Sequence, residues 1–109
     1  AMRIAQEEIF GPVVAVMTVE NFDEALQVAN GVPYGLSASV VTRDYKKAMT
    51  YAERIECGVV KVNQISTGLQ LQAPFGGVKQ SSTDTFREQG SASLEFYSRV
   101  KTVYLDYSA

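Results

Sequence analysis

The sequence predicts an α/β fold: a parallel βαβαβ core, then a long loop, a helix and a C-terminal strand. Three observations point there. Short β-branched apolar runs alternate with segments whose apolar residues recur at spacings of three and four. Asn, Asp and Gly stand where helices should start and stop. The connections between these pieces are short, which favours right-handed crossovers and a parallel sheet covered by helices.

The elements follow in order. Gln6 to Val16, QEEIFGPVVAV, sets two carboxylates, an aromatic, a Gly-Pro turn and an apolar run within the first dozen or so residues. A self-contained domain usually opens on a polar, frayed segment, so the expectation is a chain that begins inside a larger arrangement. Val13 to Val19 reads as the first buried strand. Asn21 should cap the next helix, with Glu24 reaching back to it, while Phe22, Ala25, Leu26 and Ala29 share one face and Gly31 supplies a left-handed stop. A Val-Pro-Tyr-Gly turn leads to a second strand, Leu36 to Thr42. Asp44 can cap a second helix with Ala48, Tyr51, Ala52 and Ile55 on one face and Gly58 at its end; Val59 to Asn63 is the third strand. From Gln64 to about Thr85 periodicity stops, and an irregular connection of roughly 20 residues is more often functional than idle. Phe86 to Arg99 then reads as a helix, and Lys101 to Tyr107 alternates as a strand with Val103 and Leu105 on one face.

Composition excludes several function classes. With 10 Lys+Arg against 12 Asp+Glu in 109 residues, and the basic residues scattered, no stripe for nucleic acid forms. No apolar stretch is long enough to span a membrane and no leader pattern precedes the acidic pair, so a cytoplasmic protein is expected. The absence of His and a lone Cys57 argue against a metal site, an internal disulfide and a self-contained catalytic triad. Ala1 before Met2 reads as a cloning remnant.

The order of five motifs resembles the C-terminal part of the NAD(P)-dependent aldehyde dehydrogenase superfamily: EEIFGPV at Glu7 to Val13, PYGLSASV at Pro33 to Val40, GVVKVN at Gly58 to Asn63, PFGG at Pro74 to Gly77 and RE-x-G at Arg87 to Gly90. Each is weak alone, but five in order across almost the whole chain make a specific match. The resemblance implies an oxidoreductase that turns an aldehyde into a carboxylic acid with NAD or NADP. It implies that residues 1–100 are the end of the catalytic domain, with active-site loop 64–85, and that residues 101–109 are a strand of the oligomerisation region, so a homo-oligomer is expected.

For the residues themselves, the resemblance assigns Glu8 to the nicotinamide ribose hydroxyls, Phe10 to the face of the nicotinamide, and Phe75 to the aldehyde funnel. A carboxylate accepts from two vicinal hydroxyls, and an aromatic holds a flat ring in place. From the residues alone, Glu7-Glu8 reads as a solvated pair at a strand mouth before it reads as a ligand site, and Phe75 could equally be the packed residue of a tight Gly-rich turn. Cys57 closes a helix before a strand and lacks the Gly-Gln context of the family's nucleophile, so a buried, inert thiol is expected and no catalytic residue is assigned. The nucleotide-binding unit and nucleophile segment of the family are absent from this stretch, which by itself should be inactive.

Two departures point within the family. The loop between Asn63 and Pro74 is longer by one residue than in common members, and KQSSTDTFREQG adds two residues between Lys79 and Arg87. Both resemble the branch acting on 2-oxoglutarate semialdehyde (2,5-dioxopentanoate), with Ser66, Thr67, Gln70 and Gln72 available at the funnel mouth. The competing readings are a noncatalytic α/β oligomerisation or regulatory module and, lower, a ferredoxin-like ligand-binding domain. The latter needs two adjacent strands between its helices, where the pattern offers one.

Overall fold

Both long helices start where their caps dictate. In the computed structural model, which describes residues 2–82 and 87–108, α1 spans Phe22–Asn30 and α2 spans Tyr45–Arg54. The Asn21 side chain accepts the Glu24 amide at 2.9 Å, and Asp44 accepts the Lys47 amide at 3.1 Å, each satisfying an N-terminal donor the helix cannot pair. Glu24 reaches back one residue further than expected, its carboxylate accepting the Glu20 amide at 2.7 Å. The stops differ from the sequence reading. Gly31 has φ −75°, outside the left-handed region, and α2 ends at Arg54 with Ile55 extended, short of Gly58.

The helix α2 is the crossover between β2 (Ser37–Val40) and β3 (Val59–Val62), which pair in parallel with Ser37 opposite Val59 and Val40 opposite Val62. Between sheet and helices lies a small core. Leu26, only 2% exposed, packs with buried Tyr51 and Ile55, and Phe22, Ala38, Val40 and Val60 close around them. Ala48 is also buried, whereas Ala29 and Ala52 lie exposed at the margins of their helix faces. Full burial of one such aliphatic or aromatic side chain stabilises by about 1.5–3 kcal/mol. The two helices are also tied end to end: the Asn30 amide donates to the Arg54 carbonyl at 2.9 Å and its oxygen accepts the Glu56 amide at 2.9 Å.

A second pairing was not legible in the sequence. Tyr34–Gly35 (β1), expected as part of a turn, pairs antiparallel with Val78–Lys79 (β4) inside the segment expected to be an irregular loop. Lys79 secures this contact, its ammonium donating to the carbonyls of Asn30 (2.7 Å) and Val32 (3.3 Å) and meeting the Glu56 carboxylate at 2.6 Å.

Three expected elements are corrected. Val13–Val19 forms no ladder with any described residue; Val14 and Val16 are each 86% exposed, so the parallel sheet has two strands rather than three. Lys101–Tyr107 likewise has no strand partner, and Val103 and Leu105 face solvent. A β pattern becomes a strand only when another segment satisfies its amides and carbonyls, and the described residues supply none here. The last helix, α3, covers only Ser93–Phe96 after a 3₁₀ turn at Gly90–Ala92; Phe86, its expected start, lies outside the described residues. Leu94 and Tyr97 are exposed, and a helix without a buried face does not repay its nucleation. The two unpartnered arms lengthen the molecule to 74 × 33 × 23 Å, with a radius of gyration of 19.1 Å. A packed chain of this length would have about 13 Å.

Candidate functional site

The first candidate lies on the segment between a 3₁₀ turn, Arg3–Ala5, and the arm from Val13. Adjacent Glu7 and Glu8 are chemically unlike. Arg3 grips Glu7 with two hydrogen bonds of 2.8 Å, which hold the Glu7 carboxyl below the usual carboxylate range. Glu8 has no ion pair or side-chain hydrogen bond among the described residues. Phe10 sits at φ +55°, a conformation costly for a bulky residue, and its ring is 91% exposed. The turn displays an aromatic side chain two residues from the Glu8 carboxylate. Glu8 and Phe10 line one groove of about 350 Å³, so the structure brings these two expected site residues together.

Cys57 shares a cavity of about 450 Å³ with Glu7, Glu8, Tyr34, Gly35 and Ser81. The neighbourhood does not activate it. Burial pushes the thiol above its ordinary value, outweighing the backbone hydrogen bonds and the cations of Arg87 and Lys79, and its sulfur lies 3.2 Å from the Val59 carbonyl, to which the S–H donates. A protonated thiol facing a carbonyl is a poor nucleophile.

Phe75 lies elsewhere, half-buried on a cavity of about 430 Å³ that also includes Lys61, Leu69, Gln70 and Gln89. The PFGG turn is locked by the RE-x-G motif. Phe75 and Glu88 exchange backbone hydrogen bonds of 2.6 and 2.8 Å, while the Arg87 guanidinium donates to the Gly77 carbonyl at 2.9 Å. Gly90, at φ +53°, runs so close to Gln72 that a Cβ would stand 2.4 Å from that residue's carbonyl oxygen. The motif stands in the sequence, but its clamping of the loop does not follow from it; the paired glycines and the Arg are the signal it carries.

The rest of the loop is fastened from beneath. Lys61, on β3, donates to the carbonyls of Thr67 (2.6 Å) and Gly68 (2.8 Å), the Ser37 hydroxyl donates to the Ser66 carbonyl at 3.1 Å, and the Ser39 hydroxyl donates to the Gln64 carbonyl. Of the four polar residues expected at a funnel mouth, Gln70 lines the cavity, while Ser66 and Thr67 enter these contacts through their backbone. The Gln89 side-chain oxygen is buried with no partner among the described residues. Those residues contain no cluster of His, Cys, Asp or Glu able to hold a metal and no helix long and apolar enough to cross a membrane.

Comparison with known proteins gives the geometry a context. The profile of the aldehyde dehydrogenase family matches residues 1–103. An alpha-ketoglutarate semialdehyde dehydrogenase of Haloferax volcanii is 61% identical over 106 residues, covering 97% of this chain and 22% of that protein. An alpha-ketoglutaric semialdehyde dehydrogenase of Bacillus subtilis is 49% identical over 104 residues, covering 95% of this chain and 21% of that protein. Among solved structures, an indole-3-acetaldehyde dehydrogenase of P. syringae in complex with NAD+ and IAA superposes with a TM-score of 0.84 at 46% identity, over 93% of this chain and 20% of that one. The chain thus spans about a fifth of the length of the proteins it matches.

Proposed function

This chain belongs to the aldehyde dehydrogenase family, and from that premise we propose that the full-length protein oxidises 2-oxoglutarate semialdehyde to the dicarboxylic acid with NAD or NADP. The observation that carries the reading is the 61% identity to the Haloferax volcanii semialdehyde dehydrogenase across 97% of this chain. The test compares kcat/KM of the full-length protein for 2-oxoglutarate semialdehyde, succinate semialdehyde and pentanal. A site built for a carboxylate leaves polar groups unpaired with pentanal, so the first substrate should lead by about a hundredfold or more. Preference for pentanal would reject it.

Within that reading, Glu8 and Phe10 hold the nicotinamide end of the cofactor. Both fit: an unpartnered carboxylate is free to accept two ribose hydroxyls, and a displayed ring can lie against a flat heterocycle. The cofactor, when bound, supplies the hydride acceptor; these residues fix its position and orientation. Phe75, on its clamped turn, forms an apolar wall for the aldehyde's carbon chain. Glu8→Ala should lower kcat/KM by about ten- to a hundredfold through loss of a charge-assisted hydrogen bond. Glu7→Ala should have little effect, because its partner is the exposed Arg3. Equal effects from the two substitutions would overturn the assignment.

A further inference from the structure

The cavity beside Phe75 has one charged side chain on its wall, and that charge is positive. No carboxylate lines it among the described residues, whereas Val59, Val60, Leu69 and Phe75 give it an apolar side. Lys61 projects from the paired strand β3 and is held by the carbonyls of Thr67 and Gly68. These oxygens orient the ammonium without cancelling its charge, and no ion pair to Lys61 occurs among the described residues. An ammonium has three donors, so one remains after the two carbonyls are served. Lys61 is half-buried at a pocket of about 430 Å³ whose lining mixes those apolar side chains with Gln64, Gln70 and Gln89, a setting in which an incoming carboxylate meets one cation and no competing anion.

We propose that Lys61 is the specificity residue that receives the distal carboxylate of the aldehyde substrate, with the apolar wall enclosing the carbons between carboxylate and aldehyde. The assignment rests on the proposed aldehyde oxidation and adds the residue that selects a charged substrate. It also gives the two carbonyl bonds a purpose beyond loop support: they preset the ammonium, so little side-chain freedom is lost when the carboxylate arrives.

The experiment uses the full-length enzyme with 5-oxopentanoate, 2-oxoglutarate semialdehyde and pentanal. Lys61→Met keeps the length of the side chain and removes its charge. It removes the two loop bonds as well, which lowers kcat/KM for all three substrates alike, so the readout is the ratio: the preference in kcat/KM for the two carboxylated aldehydes over pentanal should fall by about ten- to a hundredfold, mainly through KM. Lys61→Arg should retain most of the preference. A loop-supporting role alone would depress all three substrates by the same factor, and an unchanged ratio of carboxylated to uncharged aldehyde overturns the proposal. Absence of turnover with every aldehyde in the unmodified enzyme would instead reject the aldehyde oxidation itself. A second measurement needs no variant: glutarate should compete with pentanal in the unmodified enzyme and the neutral glutaramide should not. Equal inhibition by the two, or none by glutarate, overturns the assignment.

Discussion

Replacing Gly58 with alanine should cost the full-length protein about 3 kcal/mol or more of stability, among the larger effects of any single methyl group. An added Cβ would lie 1.7 Å from the Gly76 carbonyl oxygen and 2.4 Å from a guanidinium nitrogen of Arg87. The nearer neighbour is backbone, and the Arg87 guanidinium can retreat only by giving up its hydrogen bond to the Gly77 carbonyl. Gly76 belongs to the turn that Arg87 clamps through the Gly77 carbonyl, and the Gly58 amide is itself held by the Gly35 carbonyl at 3.0 Å. Relief therefore requires the PFGG turn to leave β3, which opens the cavity of Phe75 as well. Gly11→Ala is the control, since no atom stands within 4 Å of its added Cβ; its effect should stay within about 0.5 kcal/mol. Thermal unfolding followed by circular dichroism, together with soluble yield, measures both. A Gly58→Ala protein that melts with the unmodified one would mean that the Gly76 carbonyl does not stand against Gly58.

The same glycine marks the limit of what the sequence could say. Its position after an amphipathic stretch suggested a helix stop, because local pattern reports only neighbours along the chain. Its actual neighbour, Gly76, is 18 positions away, and no periodicity encodes that approach. The capped helices and the β2–α2–β3 unit were legible because their signals are local: an Asn or Asp acceptor, a stripe at spacings of three and four, a β-branched run. Val13–Val19 carries an equally good β-branched signal and still forms no strand. Burial and pairing belong to two segments, and the partner is not among the described residues. The antiparallel pair between Tyr34–Gly35 and Val78–Lys79 failed in the opposite sense, being too short for any pattern to announce.

The candidate site divides the same way. The expected roles of Glu8, Phe10 and Phe75, and the choice of Glu8 over Glu7, came from motif resemblance; the structure adds a physical difference between the two carboxylates by giving Arg3 to Glu7. Lys61 went unassigned in the sequence because a lysine inside a strand looks like an outward-facing residue. Its role emerges from the loop that folds back over it.

The largest expected effect is a complete one: residues 1–109 alone should show no aldehyde oxidation above the uncatalysed rate. Covalent catalysis on an aldehyde carbonyl needs a thiolate or an equally activated nucleophile, and the chain has one cysteine. Cys57 is the wrong species for the task. Burial raises its pKa, its S–H is turned to the Val59 carbonyl, and no histidine exists in the sequence to take its proton. The raised value also fixes the direction of a pH effect. The folded state keeps the thiol proton to higher pH than the unfolded state, so this group's contribution to stability is fully present below the ordinary thiol range and declines as pH rises towards the folded value. Iodoacetamide should accordingly modify Cys57 slowly at neutral pH and faster only above the pH at which an unhindered thiol reacts. Incubation of the chain with NAD or NADP and 2-oxoglutarate semialdehyde, followed by the absorbance of reduced nicotinamide, should give a trace equal to the protein-free control, unchanged by Cys57→Ser. Turnover that disappears with Cys57→Ser would make this thiol a nucleophile after all, and rapid alkylation at neutral pH would show that its surroundings release the proton that burial is argued to retain.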